Sequence, residues 1–197
     1  GECHAGSYES SLFFGVLNYR NNVSMSGVPF VSECANMGPS SREAYKRMFP
    51  TDKLWPMNDY WRDRLMDNPY SVYKMPFCER QLLYADTLYG KSDSLRQFIA
   101  KGMTTHAESM RAEIEFARAN SACGGFMNWM YSDIWPSATW AVVDYYCEPK
   151  QAYYQMMRSF APVAVTFVQD EQKRLQLVLL NDSRQKLSCN VTYGMRT

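Results

Sequence analysis

The chain has 197 residues, 46% of them apolar, with 21 basic and 20 acidic side chains and a formal charge of +1. That length is enough for one or two domains with a sizeable core, and the composition excludes a disordered or fibrous chain. Near-neutral charge offers no attraction to nucleic acid or an anionic membrane surface, and no run of about 18 apolar residues exists to span a bilayer, so a neutral ligand is expected.

The first element in chain order is Val28-Pro29-Phe30-Val31-Ser32-Glu33, a short apolar run closed by a carboxylate. It reads as a buried parallel strand with Glu33 at its C-terminal end. Arg42 to Met48 reads as a helix, with Ser40 or Ser41 as N-cap and Pro50 ending it. Residues 50 to 80 carry Pro50, Pro56, Pro69 and Pro76 among aromatics, which predicts a long irregular connection. From Ser94 to Asn120, Leu95, Ile99, Met103, Met110, Ile114 and Ala117 recur at helical spacing and predict one face of a long helix. Cys123-Gly124-Gly125 ends it, and Phe126 to Tyr131 reads as a second buried strand.

The order strand, helix, strand builds parallel sheets by right-handed crossover, and in a β/α barrel the chemistry lies at the strand C-termini. After Pro149 a short helix is expected from Lys150 to Phe160, and Pro162 marks a change of period. Val163 to Val168 and Leu175 to Leu180 read as strands. Leu187, Cys189, Val191 and Tyr193 alternate with Ser188, Asn190 and Thr192 and predict a third. This is the start of an antiparallel sandwich.

Cys3, Cys34, Cys78, Cys123, Cys147 and Cys189 include no C-x-x-C pair, so no zinc ribbon or redox motif is encoded. Their spacing favours thiols in a reducing compartment, and hence a cytoplasmic over a secreted protein; the sequons at Asn22, Asn181 and Asn190 do not decide it. His4 and His106 make no chelating set, so neither metal nor cofactor is expected. His106 reads as a solvated or packing residue, and Glu113 and Glu115 as a solvated helix face. A chain that starts at Gly1 without Met and stops after Asn190 to Tyr193 reads as an excerpt of a longer one.

Phe30-Val31-Ser32-Glu33 is followed by Trp129-Met130-Tyr131-Ser132-Asp133-Ile134-Trp135-Pro136, then Trp140-Ala141-Val142-Val143-Asp144-Tyr145-Tyr146, Pro149-Lys150 and Tyr153-Tyr154. This series resembles glycoside hydrolase family 2, in its β-mannosidase and exo-β-glucosaminidase branch. The resemblance implies an α/β fold: residues 1–161 as the last strands and helices of a (β/α)8 TIM barrel, and 162–197 as the first strands of an immunoglobulin-like β-sandwich. Glu33 would end the seventh barrel strand and Trp129 the eighth. The chain departs from the pattern at Ser132, where Asn is usual, at Glu2 to Gly6, where His4 alone matches, and at Cys34-Ala35-Asn36.

Retaining glycosidases place two carboxyl groups about 5 to 5.5 Å apart, one attacking the anomeric carbon and the other protonating the departing oxygen. The resemblance assigns Glu33 as the catalytic nucleophile, with Trp129, His4 and Asp133 binding substrate. The structural alternatives are a turn-capping or ion-paired Glu33, a core Trp129 and an Asp133 bonded within its own loop. The family's acid/base carboxylate comes from an Asn-Glu pair, and no such dipeptide occurs here, so the excerpt alone is expected to be inert. The implied partners are a carbohydrate substrate, with a β-mannoside or β-glucosaminide favoured, and the rest of the parent enzyme chain. β-Galactoside and β-glucuronide specificities remain open, as do a carbohydrate-binding pseudoenzyme of the same fold and an unrelated scaffold domain.

Overall fold

The computed structural model describes residues 2–4, 28–64, 75–169, 172 and 174–194, with the backbone alone for 2–4 and 169. Strands β1 (Glu2–His4), β2 (Phe30–Cys34) and β3 (Phe126–Asn128) form a parallel sheet in that order. Between β2 and β3 the chain makes helices α1 (Arg42–Met48), α2 (Asp59–Arg64), α3 (Phe77–Tyr89) and α4 (Leu95–Ala119). Helix α5 (Gln151–Ser159) follows, then an antiparallel pair, β4 (Val163–Gln169) and β5 (Leu175–Asn181). The chain is therefore an α/β structure.

Helix starts follow local chemistry. Ser41 caps α1 by accepting a 3.1 Å bond from the Ala44 amide, and Ser94 caps α4 by accepting from Gln97 at 3.3 Å. Both satisfy amides that the first turn otherwise leaves without partners. Residues 65–74, with Pro69, lie outside the described residues, but the described parts of 50–80 are more regular than their prolines predict, since they hold α2, a short 3-10 turn at Thr51–Lys53 and the start of α3. Pro76 lies immediately before α3, at the one helix end where a missing N–H costs nothing.

The largest core cluster gathers Trp61 from α2 with Tyr45 and Phe49 at the end of α1, Phe77 from α3 and Phe98 from α4. A second joins α4 to α5 through Met110, Ile114, Val142 and Ala152. A third lies behind the sheet, where Val31 and Cys34 meet Ala117. The long helix buries Ile99, Met110, Ile114 and Ala117 as the periodicity predicts, and with them His106 and Glu113. Glu113 thus departs from the expected solvated face.

The strands at 163–168 and 175–180 form as expected, but Leu187 to Tyr193 do not make a third, and residues 186–194 have no regular structure. Alternation says which side chains would share a face; it does not supply the neighbouring backbone that a strand needs. In the β4–β5 pair Thr166 turns inward and donates its hydroxyl to Glu115, while Val165, Phe167, Leu177 and Leu179 stay exposed.

Candidate active site

β2 and β3 run side by side, with Val31 opposite Phe126 and Cys34 opposite Asn128. Three residue steps on β2 thus match two on β3. The same irregularity shows against β1, where Cys3 pairs Val31 and His4 pairs Glu33. β2 therefore carries a bulge at Ser32-Glu33. Without it, Val31 and Cys34 would point to opposite faces; with it, both are fully buried in one cluster with Ala117. Ser32 and Glu33 are then turned from that packed face, and both are half-buried.

Cys34 anchors the end of the bulge. Its thiol donates to Glu113 of α4, whose carboxylate also accepts from Asn36 Nδ2 at 2.5 Å. Both Asn36 and Glu113 are wholly buried. A buried carboxylate is tolerated only where donors reach it, and here the donors come from the segment that follows Glu33.

Trp129 begins where β3 stops. Its amide donates to the Cys34 carbonyl at 2.8 Å, so Trp129 and Glu33 stand at the same C-terminal edge of adjacent parallel strands. Trp129 is 47% exposed, and Tyr131 and Ile134 beyond it are more so. An indole in that position, held by backbone yet open to solvent, is not a core residue. The Trp129–Met130 peptide is cis.

The loop after Trp129 doubles back on itself. Met130 and Tyr131 carbonyls accept from the Val142 and Val143 amides at 3.2 and 2.9 Å, and Asp133 donates its amide to the Val143 carbonyl at 3.1 Å. Asp133 is only 4% exposed. Its Oδ1 accepts from the Thr139 hydroxyl at 2.6 Å, and its Oδ2 pairs with Lys150 Nζ at 3.0 Å. Asp133 therefore has both oxygens engaged inside the protein, while Trp129 faces outward. His4 has its backbone in register with Glu33, and its side chain lies outside the described residues.

His106 presses on the loop that follows β2: a Cβ added to Gly38 would stand 2.5 Å from both its Cβ and Nδ1. This close approach requires glycine. Burial lowers the His106 pKa from 6.5 to about 3, the Lys150 charge acts in the same direction, and the Asn36 backbone opposes both. The imidazole is neutral and packs, which is one of its two expected roles. The unfolded chain takes up this proton near pH 6.5 and the folded chain only near pH 3, so the associated stability is complete above the first value and lost as pH falls toward the second. The thermal midpoint of the protein should fall across that window more steeply than that of a His106→Gln variant. Equal slopes would clear His106 of the effect.

Lys150, Thr139, Glu113 and His106 were not among the expected site residues. Only Pro149-Lys150 carried a signal, as a matched dipeptide. A cleft of about 170 Å³ between α4 and the β4–β5 pair, lined by Arg111, Glu115, Phe116, Phe167 and Leu175, shares no residue with the site.

No family model matches the chain. A stretch of 43 residues, 22% of the chain, is 51% identical to β-mannosidase B of Aspergillus niger and covers 5% of that protein. The same length is 46% identical to β-mannosidase B of Thermothelomyces thermophilus, again 5% of it. Among solved structures, a β-D-mannosidase from Dictyoglomus thermophilum superposes with a TM-score of 0.74 over 93% of this chain and 21% of its own, at 20% identity. The chain resembles the β-mannosidase branch of glycoside hydrolase family 2. An exo-chitosanase of Amycolatopsis orientalis superposes with a TM-score of 0.59 over 77% of this chain and 18% of its own, at 22% identity. The chain spans about a fifth of the length of these structures.

Proposed function

We propose that this chain is the C-terminal part of the catalytic barrel of a retaining exo-β-glycosidase, with residues 1–161 in the barrel and 162–197 opening an immunoglobulin-like sandwich. The observation that carries the reading is the bulge at Ser32-Glu33, which turns Glu33 from the packed face at the edge shared with Trp129. A bulge is the usual means by which a strand re-aims one side chain beside an active site.

In this reading Glu33 attacks the anomeric carbon of a terminal sugar as the leaving oxygen takes a proton from an acid supplied outside residues 1–197. Water then displaces the sugar from Glu33, and the anomeric configuration is retained. Trp129 stacks under the ring, His4 is assigned to substrate binding by the resemblance, and Asp133 holds the loop that carries Trp129. The mannosidase and chitosanase names of the relatives favour a β-mannoside or β-glucosaminide.

The test is covalent trapping. A 2-deoxy-2-fluoro mannoside or a 5-fluoro glucosaminide with a good leaving group, incubated with the parent enzyme, should leave its sugar on the peptide containing Glu33. An adduct on another carboxylate would reassign the nucleophile. Sugar binding with neither adduct nor turnover would make the parent a binding protein.

A further inference from the structure

The ammonium of Lys150 is 2% exposed and lies between two loops. On one side it pairs with Asp133 at 3.0 Å, four residues after Trp129; on the other it points to the Gly38 carbonyl at 3.4 Å, five residues after Glu33. Thr139 closes the same circuit, since its hydroxyl binds Asp133 at 2.6 Å and its carbonyl accepts from the Gly38 amide at 3.2 Å.

We propose that Lys150 is a positioning residue for this site, its buried ammonium clamping the loop after Glu33 to the loop after Trp129. The inference rests on the roles proposed above for those two residues. Burying an ion pair gains little over filling the same space with apolar groups, so its use is in specifying geometry. A dispersed apolar contact would let the two loops slide, whereas a point charge satisfied by one carboxylate and one carbonyl fixes their separation. Burial disfavours the charged ammonium and Asp133 opposes that effect, with Asp144 adding a smaller contribution of the same sign. Neutral His106 lies within electrostatic reach of the ammonium. The arrangement gives a physical reason for the co-occurrence of an aspartate four residues after Trp129 and a lysine before α5.

Lys150→Met in the parent enzyme removes the charge and keeps the stem. We expect kcat to fall on the order of 10²-fold, the scale of a misplacement of about 1 Å, with KM nearly unchanged, at a temperature where the variant is fully folded. If the single variant does not fold, Asp133→Asn with Lys150→Met removes both members of the buried pair together and carries the same expectation. A kcat within about threefold of the parent, or a change confined to KM, overturns the proposal. Glu33→Gln is run in parallel: loss of turnover there with a normal kcat for the Lys150 variant rejects the clamp alone, and retained turnover in Glu33→Gln rejects the underlying site.

Discussion

Glu33→Gln in the parent enzyme is expected to lower kcat by roughly 10⁴- to 10⁶-fold, the range reached when an enzyme that works through a covalent intermediate loses a member of its catalytic set. That corresponds to about 5 to 8 kcal/mol of transition-state stabilisation at 1.36 kcal/mol per tenfold. Gln keeps the shape of the side chain but cannot form the ester to the anomeric carbon. The effect should therefore fall on kcat, with sugar affinity retained through Trp129. Stability should change by no more than about 1 kcal/mol, because Glu33 is half-buried and Gln keeps its volume. Single-turnover kinetics on a nitrophenyl glycoside would check it; a rate within tenfold of the parent would remove Glu33 from the nucleophile's role.

The place of Glu33 near the end of β2 was legible because it closes an apolar run, and that of Trp129 just past β3 because of the string of residues that carries the resemblance. The bulge at Ser32-Glu33 was not. A register shift depends on how neighbouring backbones pair, and one strand's side-chain order carries no record of it. The buried charges were hidden for a different reason: a lysine or glutamate in a sequence is by default a surface residue, and only a partner brought from far along the chain permits burial. Lys150 meets Asp133 across a folded-back loop, and Glu113 meets Cys34 across 79 positions. The helix at Phe77–Tyr89 was missed because its proline was read as loop punctuation instead of as a helix start. Leu187 to Tyr193 erred the opposite way, since their alternation was clear but no strand among the described residues pairs with them.

The expected result for Trp61→Ala follows from the packing that holds the first of the two loops. Trp61 is wholly buried, with its ring centroid 4.9 Å from Tyr45, 4.7 Å from Phe49 and 5.9 Å from Phe98. Its indole N–H donates to the Lys53 carbonyl at 3.0 Å, so the ring also ties α2 to the turn after α1. Truncation removes those contacts and leaves a cavity ringed by aromatics that cannot collapse into it together, at a cost of about 3 to 5 kcal/mol. The lost bond adds to this, because the Lys53 carbonyl loses its indole partner. The damage should reach the site by a defined path: Tyr45 belongs to the helix that directly follows Gly38 and Ser40, and α1 is capped by Ser41 in the same segment. Denaturant unfolding of the parent should show the full loss in the transition that reports this region, with kcat per folded molecule falling much less than for Lys150→Met. A loss below about 1 kcal/mol would mean that the aromatic cluster repacks, and that the segment after Glu33 is held by its ion pair rather than by the core beneath it.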